Sequence, residues 1–233
     1  MPSIIKNKSF FSLFILFTFA VFAENKINTS KPKVYMGRQI AWTMHCNAAH
    51  WLTRTEREKE ENTSEMLREL KLKPGMVVAD VGCGNGYHAL TMAKTVGEKG
   101  KILCVDVQPK MLAFLQDRAK EAGIKNCVSI LGEFTDPKLP KNSVDLILLV
   151  DAYHEFTEPE AMLKKMRESL KPEGVLVLVE FRKEDKKVPI KEDHKMSKVQ
   201  MDKELTANGF KVVRSYDKLP WQHMVFYGKD KKN

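Results

Sequence analysis

Apolar residues along this chain fall into short runs separated by polar stretches of helical character. Residues 77–80, 101–106, 128–131, 144–150 and 174–180 are rich in Val, Ile and Leu, the pattern of strands buried on both faces. Between them, residues 87–96, 110–122 and 158–170 carry apolar positions at helical spacing. This alternation predicts an α/β protein with a doubly wound, Rossmann-like and mostly parallel sheet, covered by helices on both faces. The pattern then changes. A helix over 197–207 leads to two strand-like runs, 209–216 and 222–227, joined through Leu219-Pro220. Strands that close in sequence pair antiparallel. The chain therefore predicts a seven-stranded sheet with an antiparallel C-terminal hairpin.

Upstream of this region, residues 37–51 read as a helix with Ile40, Ala41, Met44, Ala48 and Trp51 on its apolar positions. A second helix is expected over 56–70. Its Glu56/Glu60 and Arg57/Glu61 spacing places charge on an exposed face, with Met66, Leu67 and Leu70 inward. The N-terminus differs in kind. Lys6 and Lys8 precede the apolar residues 10–23, a run shorter than the ~20 residues of a membrane span. It fits the apolar core of a signal peptide, with Val21 and Ala23 suitable for cleavage before Glu24. The expected organisation is a signal peptide over 1–23, a linker and helical lid over 24–71, and the α/β domain over 72–233. Export follows, with an uncleaved anchor as the alternative and the leader as the sole membrane contact.

Composition narrows the partners. The 233-residue chain has a net charge of +9 and is 43% hydrophobic, enough for a sizeable core. Loss of Lys6 and Lys8 with the leader brings the charge to about +7. The positive residues are scattered, and no aromatic–basic stripe supports nucleic-acid binding. Cys46, Cys83, Cys104 and Cys127 show no C-x-x-C spacing, so neither a redox pair nor a thiolate metal site is expected.

The chemistry concentrates at predicted strand ends, where open α/β sheets bind ligands. The first strand runs into Asp80-Val81-Gly82-Cys83-Gly84-Asn85-Gly86 and then a helix. Three glycines in five residues allow sharp turning and close backbone approach to a ligand, and a strand–glycine turn–helix unit is a nucleotide-cofactor cradle. The second strand ends at Asp106, about 20 residues past the glycines, where a carboxylate can accept both hydroxyls of a ribose. The third ends at Gly132-Glu133-Phe134, with Glu133 a candidate acceptor for an adenine amino group or a plain turn residue. The fourth ends at Asp151-Ala152-Tyr153-His154-Glu155. His154 is the candidate base there, because imidazole exchanges protons near neutral pH. Asp151 can orient it or bind a cation. Pocket wall is the alternative role for His154, and helix-start anion for Glu155.

The combination resembles the class I S-adenosylmethionine (SAM) methyltransferases. It rests on Asp80-x-Gly82-x-Gly84-x-Gly86, Asp106, Gly132-Glu133 before Leu139-Pro140, Val144-Asp145-Leu146-Ile147 and Leu170-Lys171-Pro172-Glu173-Gly174. Glu173 stands where the superfamily's turn has a glycine. The subgroup is similar to the ubiquinone/menaquinone-type small-molecule methyltransferases. The resemblance implies SAM as cofactor. It implies that Asp80, Gly82, Cys83, Gly84 and Gly86 surround the methionine moiety, Asp106 and Val107 the ribose, Glu133 and Phe134 the adenine. Asp151, Tyr153 and His154 then face the acceptor, with Asp151 shared by both ligands and His194 a second-choice site residue. Tyr35-Met36-Gly37-Arg38 is a candidate lid, with Arg38 directed to the methionine carboxylate or to a salt bridge with the second helix. His45, His50, His194 and His223 form no pair at helix-face spacing, so no metal is expected. The implied function is methyl transfer to a small molecule. The alternatives are a non-catalytic SAM-binding sensor and a lipid or protein methyltransferase of the cell envelope.

Overall fold

The computed structural model describes residues 33–231; the expected leader over 1–23 and most of the linker lie outside them. Seven strands form one sheet in the order β5-β4-β3-β6-β7-β9-β8. They are β3 (Val77–Val81), β4 (Lys101–Asp106), β5 (Cys127–Leu131), β6 (Val144–Val150), β7 (Leu170–Phe181), β8 (Phe210–Tyr216) and β9 (Gln222–Lys229). The first five run parallel. Strand β9 lies antiparallel between β7 and β8 and closes the sheet, as the closely spaced C-terminal runs predict.

Apolar residues alternate between the two faces of these strands. Ala79 and Val81 of β3 point to one face with Leu103 and Val105, where α5 (Pro159–Ser169) and α6 (Lys198–Ala207) deliver Met162, Leu163, Met166, Met201 and Leu205. Val78, Ile102 and Cys104 point to the other. There, α2 (Thr63–Glu69), α3 (Tyr87–Val96) and α4 (Pro109–Glu121) deliver Met66, Met92, Val96, Leu112 and Leu115. Ser197 starts α6 by accepting from the Gln200 amide, an N-cap bond. The four cysteines are free thiols.

The structure departs from the sequence reading at the N-terminal end. Residues 37–51 are not one helix. A two-residue hairpin, β1 (Val34–Tyr35) and β2 (Arg38–Gln39), turns through Met36 and Gly37, both at positive φ. A 3-10 turn follows at Cys46–Thr53. The helix expected over 56–70 divides at Asn62, which adopts the left-handed conformation between α1 (Arg57–Glu61) and α2. Asn tolerates this conformation, and its side chain caps α2 by accepting from the Glu65 amide. Arg57 and Glu61, expected on an exposed face, are buried. The break turns them inward to pair at 2.8 Å.

Candidate active site

The glycine turn between β3 and α3 is built for close approach. Gly82 lies at φ +78°, and a Cβ there would sit 2.6 Å from the Ala152 Cβ at the end of β6. Gly84, at φ +53°, would meet Leu52 at 2.5 Å. A side chain at either position would close the space the turn leaves open. That space is part of a cavity of about 570 Å³. Its floor is formed by strand ends: Gly82 and Gly84 after β3, Asp106 and Val107 after β4, Glu133 and Phe134 after β5, Asp151 and His154 after β6.

Residues between Trp42 and Arg57 roof the cavity. The first part of the roof is tied to strand ends and to the glycine turn. The Gln108 side chain donates to the Met44 carbonyl at 2.9 Å and accepts from the Cys46 amide at 2.8 Å. Asn85 of the glycine turn donates to the Ala49 carbonyl at 3.1 Å. The Met44 amide donates to Glu155 Oε1 at 3.1 Å. Further along, Arg54 and Arg57 both bond Glu61, and Arg57 also donates to the Leu52 carbonyl. The expected lid at residues 35–38 is elsewhere. Arg38 forms a two-pronged pair with Glu204 of α6, at 2.6 and 3.1 Å, and donates to the His154 carbonyl. It contacts neither the cavity nor the second helix.

Asp106 is held at the floor. Its two carboxylate oxygens accept from the Gly84 amide at 3.0 Å and the Gln108 amide at 2.8 Å. Burial raises its pKa, and these amides oppose the rise. Asp80 sits behind the turn, buried, with Oδ2 lacking a hydrogen-bond partner. Burial lifts its pKa to about 7 against the pull of Arg57. Cys83 and Gly86 also lie outside the cavity wall. The Cys83 thiol is buried and weakly engages the Gly84 carbonyl, its pKa raised by burial to about 11, while Gly86 packs on Leu115. Glu133 reaches the rim, where its exposed carboxylate pairs with Lys138 at 3.0 Å.

His154 is buried at the opposite side of the floor. Its Nδ1 donates to Glu180 Oε2 at 2.6 Å, and its backbone amide donates to Glu180 Oε1 at 3.2 Å. Burial lowers the His154 pKa, but the Glu180 carboxylate outweighs it and the net direction is upward. The structure thus gives Glu180, at the end of β7, the orienting role expected of Asp151. Asp151 instead accepts from Gln222 at 2.7 Å through Oδ2, while Oδ1 is buried without a partner on the cavity wall. Burial, then the nearby Glu61 and Glu180 charges, raises its pKa well above the ordinary carboxylate range. Its φ of +48° holds it in a left-handed conformation, strained for a residue with a side chain.

Tyr153 does not face the acceptor side as expected. Its ring is fully buried, and its hydroxyl donates to Glu204 at 2.8 Å. The single 3-10 turn Tyr153–Glu155 rotates neighbouring side chains apart, sending His154 to the cavity and Tyr153 into the core. His194 does reach the cavity, its ring centroid 5.2 Å from that of His154.

These features fit a nucleoside cofactor carrying a cationic group. The glycine cradle has no room for side chains. Asp106 presents a carboxylate where ribose hydroxyls would lie, and Asp151 Oδ1, a buried carboxylate oxygen on the cavity wall, lacks a partner. Fold and cradle together define the class I SAM-dependent methyltransferase architecture.

Comparison with known proteins agrees. Residues 72–227 match the family model described as a methyltransferase domain, and the chain belongs to that family. The ubiquinone/menaquinone biosynthesis C-methyltransferase UbiE of Shewanella sp. (strain W3-18-1) is 31% identical over 112 residues, covering 48% of this chain and 45% of that protein. The protein-L-isoaspartate O-methyltransferase of Pyrococcus horikoshii is 34% identical over 113 residues, covering 48% of each. The chain thus spans about half the length of the curated relatives it matches. A crystal structure of a SAM-dependent methyltransferase from Aquifex aeolicus superposes with a TM-score of 0.75 at 28% identity, covering 79% of this chain and 98% of that one. The family's cofactor is SAM.

Proposed function

We propose that this chain transfers a methyl group from SAM to a small-molecule acceptor. The observation that carries the reading is the single cavity shared by two unlike ends. One end is the Gly82–Gly84 cradle with Asp106, and the other is His154 backed by Glu180.

When bound, SAM supplies a methyl group on a positively charged sulfur, already activated for in-line displacement. The chain's own residues have three tasks. Gly82, Gly84 and Asp106 hold the nucleoside part, the glycines by leaving room and Asp106 by accepting from hydroxyls. The roof from Trp42 to Arg57 excludes water and limits acceptor size. His154 takes the acceptor's proton on Nε2. Glu180 fixes the tautomer by occupying Nδ1 and stabilises the charged imidazolium that results. Asp151 Oδ1, unpartnered on the wall, suits a positively charged donor from either ligand.

A roof pinned at several points over the cavity favours a small acceptor over a protein or lipid surface. The same relatives include one named for a protein substrate, which keeps that alternative open to test. Export through residues 1–23 belongs to this reading, supported by Lys6, Lys8 and the apolar run. An intact Met1 on soluble protein from the native host would overturn it. The reaction is tested by incubating the protein with methyl-labelled SAM and fractionated host extract. Label in a small-molecule fraction, lost in His154→Ala, is expected. Label in protein or lipid alone would contradict the acceptor class, and SAM binding with no transfer would favour the sensor.

A further inference from the structure

His154, Glu155 and His194 each offer one ligand atom, and the three atoms lie within 4.8 Å of one another on the cavity wall. Among the described residues this is the one cluster of its kind. No spacing along the chain announces it. His154 and Glu155 come from the 3-10 turn after β6, and His194 ends a second turn, Glu192–His194, after β7.

The surroundings of each ligand are those of a prepared metal site. Glu180 occupies Nδ1 of His154, leaving the Nε2 lone pair 4.0 Å from Glu155 Oε1. Asp193 Oδ1 lies 2.9 Å from Nδ1 of His194, which leaves Nε2 as its available nitrogen. A carboxylate behind each ligating imidazole is the arrangement that fixes tautomer and ring orientation at metal centres. The Met44 amide holds Glu155 from the roof. His194 and Glu155 are partly exposed, so the side facing the cavity is open to a further ligand.

We propose that His154, Glu155 and His194 bind one divalent ion of the zinc class, with its open position toward the acceptor end of the cavity. Two imidazoles and one carboxylate are a donor set for Zn²⁺ or its first-row neighbours rather than for Mg²⁺ or Ca²⁺, which prefer all-oxygen sites. Bond lengths of about 2.1 Å require the ligand atoms to converge by about an ångström, which side-chain rotation supplies. The ion would take a hydroxyl of the acceptor as its next ligand and lower that group's pKa, the proton passing to water at the mouth and leaving an oxygen lone pair free to attack the methyl group. It thereby replaces direct proton uptake by His154 Nε2, so its role in turnover rests on the methyltransferase reading, whereas the binding itself does not.

Chelator-treated full-length protein titrated with Zn²⁺, and separately with Co²⁺, provides the test. One equivalent is expected to bind at micromolar or lower Kd, with Co²⁺ giving visible absorption of a nitrogen-ligated centre. His194→Ala and Glu155→Gln should each weaken binding at least ~10-fold, and Glu180→Gln by ~10–100-fold through loss of orientation. His50→Ala, outside the cluster, should bind as wild type. Circular dichroism confirms folding of each variant. No stoichiometric binding, or equal binding in wild type and His194→Ala, overturns the site. SAM titrated into the same samples separates the two readings. SAM binding without metal binding removes only the metal, and metal binding without SAM binding removes only the methyltransferase reading.

Discussion

Glu180 grips His154 twice, accepting from its ring Nδ1 at 2.6 Å and from its backbone amide at 3.2 Å. One fully buried carboxylate therefore sets both the direction of the imidazole and the path of the turn that carries it. In the metal-free protein, Glu180→Gln removes the charge that raises the His154 pKa while leaving a polar group of similar shape. The acid limb of the kcat profile should move to lower pH, because the neutral base then persists there. Turnover at neutral pH should fall, within the ~10²–10⁴-fold range of a general base. SAM affinity should be unchanged. An unshifted pH profile contradicts the pairing.

Gly82→Ala should damage both fold and cofactor binding. The added Cβ would lie 2.6 Å from Ala152, at a φ of +78° that alanine adopts with strain. A loss of about 1–3 kcal/mol in urea unfolding is expected. Wild-type stability with wild-type SAM affinity would refute the close packing of this turn.

Arg38 and Glu204 join the hairpin β1–β2 to α6 through a buried two-pronged ion pair that also receives the Tyr153 hydroxyl. Arg38→Ala strands the Glu204 charge and should cost about 3–5 kcal/mol in urea unfolding. Arg38→Met combined with Glu204→Gln keeps an acceptor for Tyr153 and should lose less than Arg38→Ala alone. Additive losses would contradict the pairing.

Stability should fall as pH rises from about 6 to 8. Burial lifts Asp80 and Glu155 to about 7, against unfolded carboxylates near ~4. The folded chain then holds protons that the unfolded chain has released. Their stabilising contribution is present at low pH and lost as pH rises through about 7. His154 and Asp151, both raised above their unfolded values, act in the same sense, whereas His88, held well below its ordinary value by burial, opposes them near pH 6–7 and is outnumbered. The carboxylates with lowered pKa, such as Glu184 and Asp217, act only below their unfolded values, outside this window. Urea midpoints at pH 6 and 8 measure the trend, and Asp80→Asn should flatten it. A midpoint that increases with pH would contradict it.

Much of the molecule is legible in its sequence. Strands β3, β4, β6 and β7 are buried on both faces, so continuous apolar runs mark them, while the edge strand β5 is half-exposed yet still apolar, and Asp106 is found by its distance from the glycines. The roof is illegible for a physical reason. Arg54, Arg57 and Glu61 look like surface charges, yet a left-handed Asn62 folds them inward where they neutralise one another. Glu180 is hidden at the end of an apolar strand, and only the neighbouring strand end shows what it faces. Tyr153 misleads because one short turn sends adjacent side chains to opposite sides. The cluster of His154, Glu155 and His194 escapes helix-face spacing because it joins two separate loops.

Everything proposed for this site depends on SAM binding between the glycine cradle and Asp106. Calorimetric titration of SAM into wild type and Asp106→Ala, with circular dichroism confirming both folds, tests it most directly. Two lost charge-assisted hydrogen bonds at about 1.5–3 kcal/mol each predict at least ~100-fold weaker binding in Asp106→Ala. No measurable binding by wild type, or equal affinity in the two proteins, would contradict it.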